Sequence, residues 1–197
     1  NEGRKPKLAT SLIGYSYITT NEDDFDSQQF VMAREKSGFD ISELSSNRRS
    51  KVRRGLKRNS ILQVDDIRPH LEQMKSVVIS ARERTGAGNP VEYYQRKGKE
   101  WKEGLEKLAA MKDRKFWLAY QGDKLAAYYH TTLIEDMLII NAAKSHSDYL
   151  SNYPNDALVH QVLDYACNQR QCRLVIYGNW VSEDKNLNRF KEGFGFS

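Results

Sequence analysis

The stretch that decides the fold is C-terminal. It reads Ser151-Asn152-Tyr153-Pro154-Asn155-Asp156, an amphipathic run to Gln169, Leu174-Val175-Ile176-Tyr177-Gly178, and Asn188-Arg189-Phe190-Lys191-Glu192-Gly193-Phe194-Gly195-Phe196. A polar loop opening a helix is ready for an anion, because free N–H groups and the positive end of the helix dipole face the same way. A strand ending in Tyr177-Gly178 can present its end to a cleft. The turn from Phe190 to Gly195 can bring the Lys191 ammonium into that cleft.

Working outward, residues 115–120, 124–134 and 137–143 read as strands rich in β-formers. Their hairpin-sized links, Gln121-Gly122-Asp123 and Glu135-Asp136, predict an antiparallel meander. Asn155–Gln169 reads as a helix with Leu158, Val162 and Tyr165 inward. A helical crossover makes strand 174–177 parallel to strand 137–143. Asp184–Glu192 is a short helix.

Upstream, Pro69–Thr85 is a helix broken by Gly86-Ala87-Gly88-Asn89-Pro90, and Val91–Met111 is helical in two pieces around Gly98. Glu43–Asn59 is a helix with Leu44, Val52 and Leu56 on one stripe, followed by a short strand Ile61–Val64. Leu8–Thr20 and Gln29–Ala33 read as strands paired in a hairpin around the acidic loop 21–26. The expected organisation is an N-terminal β-hairpin extension over 1–40 and one mixed α/β domain over 41–197.

The 197 residues suffice for one good core or two small ones. No apolar run approaches the ~18–20 residues that span a bilayer. The chain therefore reads as a cytoplasmic globular protein with no membrane insertion. Its start, Asn1-Glu2-Gly3-Arg4-Lys5, reads as that of a piece of something longer. Cys167 and Cys172 stand five apart without companion ligands and read as reduced, partly buried thiols; a disulfide is the lesser alternative. His70, His130, His146 and His160 show no metal-ligand spacing, so no metal is expected. The formal net charge of +5 is concentrated in Arg48, Arg49, Lys51, Arg53, Arg54, Lys57 and Arg58, which gives a local potential suited to phosphate.

The ordered set of C-terminal pieces resembles the GNAT-type N-acyltransferases, and in particular their FemAB-like branch. The shared features are the Pro154-containing loop before a helix, the strand ending at Tyr177-Gly178, and Phe190-Lys191-x-Gly193-Phe194-Gly195. The basic run Arg48-x-x-Lys51-Val52-Arg53-Arg54 before a short strand belongs to the same resemblance, which covers roughly residues 40–196. It implies a mixed sheet in which two central strands splay apart to admit the acyl donor. The common acetyl-CoA enzymes carry an Arg/Gln-x-x-Gly-x-Gly/Ala loop around the pyrophosphate; residues 149–156 here have no such signature.

In Fem-type aminoacyltransferases the Phe-Lys pair lies at the active site, and the Lys neutralises developing negative charge. That pair falls on Phe190 and Lys191. These enzymes take an aminoacyl group from a charged tRNA and place it on a peptidoglycan precursor. The resemblance thus implies an N-acyltransferase with acyl-CoA or aminoacyl-tRNA as donor and a small-molecule or peptide amine as acceptor. Candidate catalytic residues are Lys191, Phe190 and Tyr177, with Tyr177 and Asp156 as the nearest bases. Candidate donor-binding residues are Ser151, Asn152, Asn155 and Asp156, joined by Arg53 and Arg54.

Three bland readings stand beside these. Lys191 can be an ordinary lysine on a terminal helix. The basic helix can be a solvated face packed through Val52 and Leu56. Asn155-Asp156 can be an N-cap pair. At the level of the molecule the alternatives are a non-catalytic nucleic-acid-binding protein using helix 48–58, and an acyltransferase fold used for protein contacts.

Overall fold

Alternating side chains and short turns produce three long strands, and in the structure, a computed structural model, they form the centre of one sheet. Residues 31–35, 37–181 and 184–197 are described. The chain divides into two units, Asn1–Phe30 and Val31–Ser197, and every described element lies in the second. The strand expected at Leu8–Thr20, the acidic loop and their hairpin lie outside the described residues.

The strands are β1 (Val31–Glu35), β2 (Ser60–Val64), β3 (Arg114–Gln121), β4 (Lys124–Ile134), β5 (Met137–Ser145) and β6 (Leu174–Asn179). The helices are α1 (Ser46–Arg58), α2 (Leu71–Thr85), α3 (Val91–Arg96), α4 (Gly98–Ala109), α5 (Pro154–Leu163) and α6 (Lys185–Glu192). The sheet order is β1-β6-β5-β4-β3-β2. β3 to β5 form the expected antiparallel meander, β5 and β6 are parallel as expected, β2 joins antiparallel to β3, and β1 closes the sheet antiparallel to β6. The reciprocal hydrogen bonds of Ala33 with Ser197 extend this edge.

Period-two alternation separates two cores. Tyr129, Trp117, Leu138 and Val175 face α1 and α5, whose Val52, Leu158, Val159 and Val162 are fully buried. Tyr128, Phe116 and Leu118 face the other way, onto Met74 and Val77 of α2 and Trp101 and Leu105 of α4. Each large side chain removed from water in this way contributes about 1.5–3 kcal/mol before entropy is counted.

Several boundaries differ from the sequence expectation. The helix expected from Glu43 starts later: Ile41–Glu43 is a 3-10 turn capped by Asp40, and Ser45 caps α1 through the Arg48 N–H. Leu44 is therefore buried from the link between them. α5 begins at Pro154, with Tyr153 as N-cap in the left-handed region, so Asn155 and Asp156 are not its caps. Proline has no N–H to satisfy at the first helical position and its fixed φ suits it. The helix reaches Gln169 as expected, but Asp164–Gln169 winds as a π-turn. The two cysteines are free, buried thiols.

Candidate active site

The sheet opens where β5 and β6 part. They pair only at Met137–Leu174, Leu138–Val175 and Ile139–Ile176, after which β5 continues to Ser145 and β6 to Asn179. A bulge assists the separation. The β4–β5 register slips between His130 and Thr131, which pair with Ala142 and Ile140 and leave Asn141 as the extra residue. A bulge bends its strand and sharpens the local twist.

Two tyrosines stand on the α5 side of this split. Tyr129 of β4 and Tyr177 of β6 share a hydrogen bond of 2.6 Å between hydroxyls. The Tyr129 hydroxyl lies 3.4 Å from Asn155 Oδ1, and Asn155 Nδ2 donates to Ser145 Oγ at 3.1 Å. Arg84 donates to the same Ser145 hydroxyl and to the Ser145 carbonyl. Burial pushes both phenols above their ordinary pKa, and the nearby Asp156 charge adds to the rise. Both therefore remain protonated, as hydrogen-bond donors rather than bases. Asn155 thus comes to the split, though through Tyr129 and Ser145 rather than as a cap.

Lys191 is buried, at 3% exposure, and reaches the end of β6. Its Nζ donates to the Asn179 carbonyl at 2.7 Å and stands 5.3 Å from the centroid of the Tyr177 ring. Gly178, with φ +59°, turns the strand end beside it. Burial lowers the Lys191 pKa, with Asp184 opposing the shift. An ammonium carries three N–H donors. Among the described residues one hydrogen-bond acceptor meets them.

Phe190 is half-buried against the core, 5.4 Å from Phe194 and 6.5 Å from Tyr177 between ring centroids. Gly195 has the positive φ (+83°) that glycine tolerates. Gly193 has another role. Its φ is −62°, and a Cβ there would meet Arg48 Nη2 at 2.5 Å, so this glycine makes room for an arginine.

The candidate donor-binding residues separate. Ser151 and Asn152 lie in the 3-10 turn Ser147–Asn152, exposed and half-buried, and the end of α1 holds this turn: Arg58 donates to the Ser151 carbonyl and to Asn152 Oδ1, and Asn59 Nδ2 donates to the Asn152 carbonyl. Asp156 is buried at the third position of α5 and paired with Arg48 at 2.7 Å. Burial raises its pKa against the opposing pull of Arg48. Arg53 and Arg54 are exposed on α1, with Arg54 5.1 Å over the Tyr153 ring. Gly55 seats α1 on the start of α5, since a Cβ there would meet the Tyr153 carbonyl at 2.5 Å.

Sequence reasoning missed Tyr129 and Arg48. Tyr129 lies within the expected strand 124–134, but its partner Tyr177 comes from β6, far along the chain. Arg48 read as one of a basic run, although Arg48, Val52 and Gly55 share one helical stripe at i, i+4 and i+7. Among the described residues no cluster of His, Cys, Asp or Glu could hold a metal ion, and no helix is long and apolar enough to cross a membrane.

No protein-family model and no curated protein sequence matches the chain. Solved structures do. FemX superposes with a TM-score of 0.62 at 13% identity, over 85% of this chain and 58% of FemX. The chain thus spans less than two thirds of FemX. An acetyltransferase from Streptococcus agalactiae superposes with a TM-score of 0.55 at 13% identity, over 72% of this chain and 84% of that one. The aminoglycoside acetyltransferase AAC(6')-Iy, bound to a CoA-S-monomethyl-acetylneamine bisubstrate analogue, gives 0.50 at 14% identity, over 71% and 90%. The chain has a GNAT-like fold, a mixed six-stranded sheet flanked by helices, and FemX and these acetyltransferases are among its structural neighbours.

Proposed function

We propose that the chain catalyses N-acyl transfer from an activated ester to an amine at the β5–β6 split, and that its donor is an aminoacyl-tRNA rather than an acyl-CoA. The chemistry rests on Lys191. Attack of an amine on an ester carbonyl gives a tetrahedral oxyanion, and a fixed donor beside it lowers the barrier by several kcal/mol. Lys191 has N–H groups to offer at the end of β6, held there before substrate arrives. The protonated Tyr177–Tyr129 pair lines the α5 side, its O–H groups engaged with each other and with Asn155. The attacking amine must lose a proton, which neither phenol is suited to accept; water or the substrate takes it.

The observation that carries the choice of donor is the covering of α5 by α1. A CoA pyrophosphate would need the amides and positive dipole at a helix start. Here that start already holds the Asp156 carboxylate on Arg48, and the preceding turn is held by Arg58 and Asn59. The outer side of α1 keeps Arg53, Arg54, Lys57 and Arg58 exposed, a row suited to a polyphosphate backbone. Binding of tRNA and of CoA, each titrated at several salt concentrations, tests this. Expected are tRNA binding that weakens steeply with salt and no saturable CoA binding. The Arg53→Ala/Arg54→Ala variant should reduce the salt slope by about two. Saturable CoA binding with a flat tRNA response would reverse the donor assignment. tRNA binding without transfer to any amine would favour the non-catalytic alternative.

A further inference from the structure

Arg48 is set apart from the other cations of α1 by where it goes. Its guanidinium lies 4.8 Å from the Phe190 ring centroid and 4.8 Å from that of Phe194. It donates to Asp156 Oδ1 at 2.7 Å and to the Phe190 carbonyl at 3.3 Å. Its side chain is 13% exposed and that of Asp156 8%. Gly193 forms one wall: a Cβ there would fall 2.5 Å from Nη2 and 2.8 Å from Nε, so the guanidinium would have to shift off its present partners.

From these contacts we infer that Phe190, Gly193 and Phe194 form a slot for Arg48, and that Arg48 is a positioning residue for Lys191. A planar guanidinium stacks on aromatic faces while its edge donates in fixed directions; an ammonium does not combine the two. Arg48 thereby ties three elements at one point: the first turn of α1, the first turn of α5 through Asp156, and the end of α6 through Phe190. Lys191 is the next residue. Its carbonyl accepts from the N–H groups of Phe194, at 2.8 Å, and Phe196, so the backbone is held on both sides of the lysine. With both ends fixed, the ammonium points at the Asn179 carbonyl. The recurrence of aromatic, glycine and aromatic around Lys191 is thus explained by a residue about 140 positions earlier.

The slot stands on geometry alone; its importance for turnover rests on the proposed role of Lys191, and the test separates the two. Per-lysine acetylation rates with an N-hydroxysuccinimide ester are followed by peptide mass spectrometry on the full chain. The variants are Arg48→Met, which keeps bulk, Arg48→Lys, and Gly193→Ala, which crowds Arg48 without removing it. In the parent Lys191 should react slowly. In Arg48→Met and Gly193→Ala it should react about tenfold faster or more, as expected of a local opening, while the half-buried Lys115 and Lys144 keep their rates. Arg48→Lys should not restore protection. An unchanged Lys191 rate in folded Arg48→Met or Gly193→Ala would overturn the inference, as would a common rise at all three lysines. Should Arg48→Met fail to fold, Gly193→Ala decides. With a competent donor, kcat should fall while the donor KM holds; a raised KM with kcat intact would overturn the positioning role. Selective exposure of Lys191 together with full turnover by a Lys191 variant would leave the slot standing and end the catalytic reading of the lysine.

Discussion

A buried lysine facing one carbonyl is an expensive arrangement, because an ammonium out of water needs compensation. Its position therefore makes a prediction about chemistry separable from stability. Lys191→Met should lower turnover by about 100-fold, by analogy with loss of an oxyanion donor. It should leave the midpoint of urea unfolding unchanged or higher. Lys191→Arg should recover turnover only in part, since the planar guanidinium needs more room. His130 makes a second residue-scale prediction. Its Nε2 is buried without a hydrogen-bond partner, and burial, with Arg114 adding to it, pushes its pKa from 6.5 down to about 4. The folded state then holds fewer protons on this ring than the unfolded chain between those values. Stability should fall as pH drops from about 6.5 to about 4, by about 3 kcal/mol, and the effect should be flat below that. Urea midpoints at pH 7 and 4.5 check it: His130→Leu should remove that part of the loss. At this scale the placing of Lys191 at the end of β6 was legible because the residues around it are local in sequence. Arg48 and Tyr129 were not, because their partners come from elements far away along the chain.

Among the elements, α1 shows best where helix propensity and packing disagree. Gly55 sits in the interior of a helix, where alanine would ordinarily be favoured by about 1 kcal/mol. Here a Cβ would lie 2.5 Å from the Tyr153 carbonyl and 3.2 Å from the Ala157 Cβ. Backbone on the opposing helix cannot swing aside as a side-chain end can. Gly55→Ala should therefore destabilise by about 1–3 kcal/mol, reversing the sign expected from propensity. Chemical denaturation measures this, and a gain in stability would show that α1 does not sit tightly on α5. The strand pattern was legible because β3, β4 and β5 are rich in β-formers and joined by hairpin-sized links. The start of α5 was misplaced by one residue because Asn155 and Asp156 look like caps, whereas Pro154 takes the first helical position and Tyr153 supplies the left-handed cap. The late start of α1 escaped for a similar reason: Asp40 opens a short turn and Ser45 the helix proper, and the apolar stripe of Leu44, Val52 and Leu56 runs across the break.

At the scale of the whole molecule, one sheet lies between two separate clusters of buried side chains among the described residues. The order of strands and helices sufficed to read the β3–β5 meander and the parallel step to β6, because a helical crossover leaves little topological choice, but not the places of β1 and β2 at the sheet edges. The laying of α1 across the start of α5 was not legible, since no local pattern joins residues 46–58 to residues 151–156. The two-core arrangement predicts how damage spreads. Val52 and Val77 are both fully buried, the first on the α5 side and the second on the α2 side. Each change to alanine removes two methyl groups from a close-packed site and should cost about 2 kcal/mol. Residues that share no partner should contribute independently, so Val52→Ala/Val77→Ala should lose the sum within about 0.5 kcal/mol. Urea unfolding should still show one transition, because β3 and β4 supply side chains to both cores and neither can persist without the shared strands. A loss well below the sum, or two separate transitions, would mean that the cores relax independently of the sheet. In that case the Lys191 end of β6, which belongs to the α5-side core, could loosen while the α2 side stayed folded.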